Sequence, residues 1–425
     1  MERTPHYQEY LQILEEELLP AMGCTEPISI ALAAAKAREL LGAEPESVLL
    51  EVSGNIIKNV KSVVVPNTGG LKGLEAAAAV GITAGRADMG LEVLSHVSQE
   101  EARRVKDFLE RCTFTIQPNR DGKIFYIRVD VAGGGHTASC EITDFHTNMT
   151  LLQRDDEVLF RGCGEITDGE DLTDRSVLNV QEIVEFINCV DPEDLRPLIG
   201  RQIAYNTAIS EEGMTGKWGA AIGRTIRAMH AEDDLAARAS AAAAAGSDAR
   251  MSGCEMPVII VSGSGNQGMT ASLPVIEYAK ALGASEEQLL RAVALSDLIT
   301  IHQKTPIGRL SAFCGAVSAG VGAATGVAYL KGGDFKVIAH TIANALAICS
   351  GMICDGAKPS CAAKIASAVD AGLIGYHMYL GGNQFRSGEG ILKKGVENTI
   401  DSVGRLARCG MRETDNEILD IMVGI

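Results

Sequence analysis

Apolar positions change their spacing twice along this chain. Over 8–19 they recur at helical intervals between acidic residues (Tyr10, Leu11, Leu14, Leu18, Leu19), which predicts a helix. Ala21-Met22-Gly23-Cys24-Thr25-Glu26-Pro27 follows. Thr25 is a good N-cap and Pro27 is tolerated in a first turn, so a second helix is expected over 26–41. Cys24 then stands just ahead of a helix N-terminus. From Glu46 the pattern becomes that of strands, with β-branched runs over 47–52 and 60–65. Pro66-Asn67-Thr68-Gly69-Gly70 breaks the chain before an Ala-rich helix over 73–86, and another helix is expected over 97–111. Strands are expected over 114–117, 123–131, 137–142 and 149–152, two of them joined by Gly133-Gly134-Gly135-His136. After about Asp174 the strand signal nearly vanishes. Helices are expected over 175–189, 191–209, 215–230, 232–247, 268–282, 286–300, 314–330, 335–352, 362–375 and 390–406. The predicted fold class is α+β. A mostly helical domain with Gly/Ala-rich buried helices, over 1–45 and 175–425, is interrupted by an α/β insert over 46–174.

Composition sharpens this picture. At 425 residues the chain exceeds one ordinary core. Apolar residues at 46% and charged residues at 22% exclude a disordered chain. Aromatics are only 4%, with Trp218 the single tryptophan, so the core must be built from aliphatic, Ala and Gly side chains on closely approaching helices. The net charge of −17, without clustered Lys and Arg, argues against nucleic acid as a partner. An acidic substrate would need a local basic or amide-lined pocket. The polar, acidic N-terminus has neither the basic start nor the apolar run of a signal peptide. The apolar stretches 314–330 and 337–353 are shorter than the ~20 residues of a membrane span, and the second carries His340 and Asn344. They read as buried helices, so no membrane partner and a cytoplasmic location are expected. Nothing in the pattern argues against a homo-oligomer. Eleven cysteines, an odd number, do not make a disulfide framework.

The thiols are the leading chemical candidates. Gly356 and Pro359 make Cys354-Asp355-Gly356-Ala357-Lys358-Pro359-Ser360-Cys361 a turn, so both thiols can point into one volume. Cys314 opens a Gly/Ala helix. Thiolates at a helix start and in a tight loop suit a cluster, because fixed amides can hydrogen-bond sulfur. Small core residues, or a zinc site, are the competing readings of the same spacing. Cys24, at a helix N-terminus, is expected to have a lowered pKa and to serve as nucleophile, base or ligand. Cys349 reads as core, and Cys112, Cys140, Cys163, Cys189, Cys254 and Cys409 as structural.

Ser262-Gly263-Ser264-Gly265-Asn266-Gln267-Gly268 follows an apolar run and precedes a helix, which offers amides to an anion such as a carboxylate. A plain turn with an N-cap is the simpler reading. The segment lacks the Lys of a P-loop. His136 is a candidate catalytic group, and Lys304 and Lys358 candidates for pairing with a carboxylate. No lysine has a setting that compels a pyridoxal phosphate Schiff base, so that cofactor is not expected.

Gly23-Cys24-Thr25-Glu26-Pro27, the 262–268 turn and the closing Cys354-Asp355-Gly356-Ala357-Lys358-x-x-Cys361 resemble the L-cysteine desulfidase family over nearly the whole chain. The part from about Val258 to Gly372 also resembles the α-domain of iron–sulfur L-serine dehydratase. The two turn cysteines are closer here than in the dehydratases, which favours the desulfidase branch. The resemblance implies a 4Fe–4S cluster held by Cys314, Cys354 and Cys361, with one iron free of protein ligands. It implies non-redox β-elimination of L-cysteine to hydrogen sulfide, pyruvate and ammonia, with Cys24 as base or displaceable ligand. Substrate contacts are expected from Asn266, Gln267 and Gly268 on one side, from Asn67, Thr68 and Gly69 on the other, and from Lys358. The alternatives are an L-serine dehydratase and a non-catalytic metal or iron–sulfur binding protein.

Overall fold

The computed structural model describes residues 4–119, 121–162 and 172–424. The fold is α+β: a mostly helical body carries a six-stranded mixed sheet. The sheet runs in the order Thr113–Asn119, Ser47–Ser53, Tyr126–Gly133, His136–Thr143, Met149–Arg154 and Glu157–Arg161. Only the first pair is parallel. The parallel crossover needs intervening helices, here Leu74–Ala84 and Gln99–Arg111.

Two apolar cores form. One gathers Tyr10, Leu14, Phe186, Leu295, Val321, Ile342 and Val369 between helices. The other gathers Leu50, Val129 and Ile142 of the sheet with Ile30, Leu32, Val80 and Phe108 of the helices covering it. The helix Thr25–Leu41, grouped by sequence with the helical part, has its apolar residues in this second core. The expectation of closely approaching helices is met where Gly320 and Gly372 face one another: a Cβ on Gly372 would lie 2.5 Å from the Gly320 carbonyl oxygen. The stretch 314–330 is a buried helix, Gly315–Leu330, and among the described residues no helix is long and apolar enough to cross a membrane.

Some elements differ from expectation. The run 60–65 is not a strand; the helix Gly54–Val60 precedes it. Val60 is buried as the last residue of that helix, so packing overrides its strand propensity. The helix expected over 215–230 forms only over Ile222–Met229, because Gly219 and Ala221 take positive φ. The strand Glu157–Arg161 and the helix Arg412–Val423 had no clear signal.

A short pairing sets up the site. Pro20–Met22 pairs antiparallel with Pro257–Ile259, Pro20 opposite Ile259 and Met22 opposite Pro257. The chain therefore leaves this ribbon into Cys24 on one strand and into Ser262 on the other.

Candidate active site

One cavity of about 110 Å³ collects residues from every part of the chain. Cys24, Cys314, Cys354 and Cys361 line it, with Asn266 and Gln267. Its charged lining is Lys58, Arg250, Lys304 and Arg309 against Glu26. The acidic protein thus has the local basic pocket that an anionic substrate requires. A larger cavity of about 650 Å³ shares Ser262, Lys304 and Arg309 with it.

Cys24 is itself the N-cap of the helix Thr25–Leu41, one residue earlier than expected. Thr25 Oγ1 instead donates to the Gly263 carbonyl at 3.0 Å, tying this helix start to the Ser262 turn. Gly23, at φ +66, sits where a Cβ would come 2.3 Å from Pro66 Cγ. The turn after Pro66 therefore buttresses the Cys24 loop. The expected lowering of the Cys24 pKa is reversed: burial pushes the thiol up to about 12, with Arg250 opposing. Cys24 is 2% exposed, and desolvation at that depth outweighs a partial dipole charge.

The other three thiols are half-buried and border the cavity. Cys361 Sγ donates to the Gly356 carbonyl at 3.7 Å, and the nearby amides of Ala316, Gly356 and Lys358 favour the thiolate forms of Cys314, Cys354 and Cys361 respectively. The neighbouring Cys314 thiol holds Cys354 well below the usual thiol range, with Lys58 adding to the effect against burial. Cys314 keeps its proton. Gly356, at φ +92, brings this turn so close to the helix Gly54–Val60 that a Cβ would lie 2.1 Å from the Lys58 carbonyl oxygen. Among the described residues no group of three His, Cys, Asp or Glu side chains is spaced to hold a single metal ion. A cluster asks for something else: separate sulfurs around one volume, each steadied by an amide. The donor set present fits that requirement.

The remaining expectations divide. Asn67 Nδ2 donates to the Leu94 carbonyl at 2.6 Å, and Thr68 Oγ1 to the Val65 carbonyl at 2.7 Å. Gly69 shares their turn at φ +69, and none of the three lines the cavity. Gly268 serves packing, since a Cβ there would lie 2.0 Å from the Ile259 carbonyl oxygen. Lys358 Nζ donates to the Asp355 and Gly356 carbonyls at 3.2 and 3.1 Å, which staples its own turn. His136 pairs with Asp155 at 2.9 Å on an exposed hairpin, away from the cavity. Lys304 does line it, and burial pulls its ammonium down to about 8. Cys112, Cys140 and Cys254 are buried, Cys189 and Cys349 half-buried and Cys409 exposed; Cys163 lies outside the described residues.

Sequence reasoning missed Lys58, Asn59, Glu26, His146, Arg250 and Arg309. Arg250 had a signal, a cation inside an otherwise Ala-rich helix, Leu235–Met251. Lys58 and Asn59 lie on the helix Gly54–Val60, which sequence reasoning did not predict. His146 comes from the sheet loop, and burial pushes it down to about 3, so it is neutral near pH 7.

A helical body carries a thiol-lined, cationic pocket to which the loop of the sheet unit adds His146. The chain belongs to the serine dehydratase alpha chain family, whose model matches residues 88–420. It is similar along its whole length to UPF0597 proteins. That of Desulfitobacterium hafniense (strain Y51) is 56% identical over 425 residues, covering 100% of this chain and 98% of that protein. That of Lachnoclostridium phytofermentans is 50% identical over 418 residues, covering 98% and 100%. That of Treponema denticola is 44% identical over 428 residues, covering 100% and 99%.

Proposed function

We propose that this chain is an iron–sulfur lyase that eliminates hydrogen sulfide from L-cysteine, with Cys314, Cys354 and Cys361 holding a 4Fe–4S cluster. The observation that carries this is the convergence of three thiols, from two separate segments of the chain, on the wall of one cavity that Cys24 also borders. When bound, the cluster supplies a Lewis-acidic iron without a protein ligand, which takes sulfur in preference to oxygen. The balance is simple. The Cα–H bond breaks heterolytically, the electron pair forms the Cα–Cβ double bond, and the Cβ–S bond breaks with its electrons on sulfur. Aminoacrylate then tautomerises and hydrolyses to pyruvate and ammonia, with no net redox change.

Cys24 Sγ is the proposed acceptor of the Cα proton. It must first give up its own, and Arg250 is the neighbouring charge that favours this. Lys304, whose ammonium is destabilised by burial, holds a proton at Nζ that it can release to the departing sulfur. The family match supports a second reading, elimination of water from L-serine at the same site. Anaerobic reconstitution with iron and sulfide, followed by assay of pyruvate from both amino acids and of sulfide from L-cysteine, separates them. A higher kcat/KM for L-serine replaces the first reading with the second. Stoichiometric iron with no pyruvate from either leaves a non-catalytic binding protein.

A further inference from the structure

Four polar side chains of the cavity are more deeply buried than its thiols require. Arg250 is 3% exposed, Gln267 5%, His146 7% and Glu26 9%. Arg250 Nε, Gln267 Oε1 and His146 Nε2 have no hydrogen-bond partner in the protein. Arg250 Nη1 donates to Asn266 Oδ1 at 3.2 Å. Glu26 accepts from Asn59 Nδ2 at 2.9 Å, and Thr25 Oγ1, whose proton goes to the Gly263 carbonyl, lies 3.2 Å from its other oxygen. The Arg250 guanidinium and the Glu26 carboxyl of one cavity are therefore each bonded to neutral groups and not to one another, and burial raises the Glu26 pKa with Arg250 opposing. Burying opposite charges without pairing them costs free energy that a direct ion pair would offset. The arrangement is explained if each charge has a partner outside the protein.

Two glycines show that these positions are built. A Cβ on Gly265 would lie 2.5 Å from Arg250 Nε, and a Cβ on Gly315 would lie 2.6 Å from Gln267 Cδ. Neither glycine has positive φ, so neither is required by its backbone conformation. Each leaves the space in which a polar side chain lies. Gly265 of the 262–268 turn thus makes room for a side chain.

We propose that this cavity reads both ends of an α-amino-acid zwitterion: Arg250 takes the α-carboxylate, and Glu26 with Gln267 Oε1 takes the α-ammonium. The assignment rests on reading the cavity as an amino-acid lyase site. It adds that the site requires both charges of the ligand, and that Gly265 is a positioning residue acting through Arg250. A carboxylic acid without the amine leaves Glu26 unpaired, and an amine without the acid leaves Arg250 unpaired.

The test is calorimetric titration of anaerobically purified protein with L-alanine, which has no β-leaving group, and with propionate and ethylamine, which each lack one charge. L-alanine is expected to bind and to exceed both. Arg250→Met should weaken L-alanine by about 10- to 100-fold, the range for a hydrogen bond to a charged group. Glu26→Gln should weaken L-alanine and leave propionate unchanged. Gly265→Ala should reproduce the Arg250→Met loss, and Arg250→Lys should recover part of it. Thermal midpoints identify any variant that does not fold, and the ligand comparison on the unaltered protein does not depend on them. Equal binding of L-alanine and propionate, no binding of L-alanine, or unchanged binding in folded Arg250→Met overturns the assignment. Binding as expected with no pyruvate from any amino acid supports the assignment and overturns only the lyase reading.

Discussion

Cys314 and Cys354 are held side by side by backbone hydrogen bonds. The Cys314 N–H donates to the Met352 carbonyl at 3.0 Å, and the Cys354 N–H donates to the Ala312 carbonyl at 2.6 Å. Phe313 and Ile353 form the bridge between these bonds. Two cysteines distant in sequence are thereby tied side by side through the main chain, with the bridging Phe313 in the core. Cys361 opens the following helix, Cys361–Leu380, and is joined to the same turn by its N–H bond to the Lys358 carbonyl at 2.9 Å.

Removing any one of these thiols should prevent stable cluster assembly. Cys314→Ala, Cys354→Ala and Cys361→Ala are each expected to lose iron and visible absorbance after anaerobic reconstitution. A full complement of iron in one variant would remove that residue from the ligand set.

Cys24→Ala should retain iron and lose elimination. A general base contributes about 10²–10⁴-fold in rate, so the deficit is measurable. Exchange of the Cα hydrogen with solvent deuterium should fall together with sulfide release. Loss of iron would make Cys24 a ligand instead. Full activity would transfer the proton to another group of the cavity.

Gly356→Ala should destabilise the protein and disturb the site together. Its φ of +92 is strained for alanine, and the new methyl would meet the Lys58 carbonyl oxygen at 2.1 Å. A loss of about 1–3 kcal/mol is expected for such a conformation, read as a lower urea midpoint. Gly69→Ala, at φ +69 with nothing within 4 Å, isolates the backbone cost from the clash.

Stability should fall between about pH 4 and pH 8 through Asp297. Burial pushes this carboxyl up to about 8, with one hydrogen bond from Gln202 opposing. The folded state keeps the proton that the unfolded chain has lost, so the contribution is present below the unfolded pKa and disappears as pH rises to the folded one. Asp297→Asn should remove this slope and raise stability near pH 8 by on the order of a few kcal/mol. Urea titrations of both proteins at pH 5 and pH 8 measure it; parallel pH dependences would exclude Asp297 as the source.

The sequence by itself determined the elements whose signal is local. The change from strand to helical spacing near Asp174 follows from where side chains must point to reach a core, and it gave the α+β class. The turn ending at Cys361 was legible because Gly356 and Pro359 constrain their own neighbours. The tertiary structure decided what depends on burial and distance. Val60, expected to begin a strand, instead ends the helix Gly54–Val60 and packs into the sheet core. Asn67 and Thr68 look like ligand-binding groups until their hydrogen bonds are seen to be internal. Cys24 has a low-pKa position in sequence and a high-pKa environment in the fold, because desolvation depends on every residue packed around it. Arg250 and Glu26 share a cavity through the ribbon joining Met22 to Pro257 and the Thr25–Gly263 hydrogen bond. Such long-range pairings are set by the whole packed chain, so no local spacing records them.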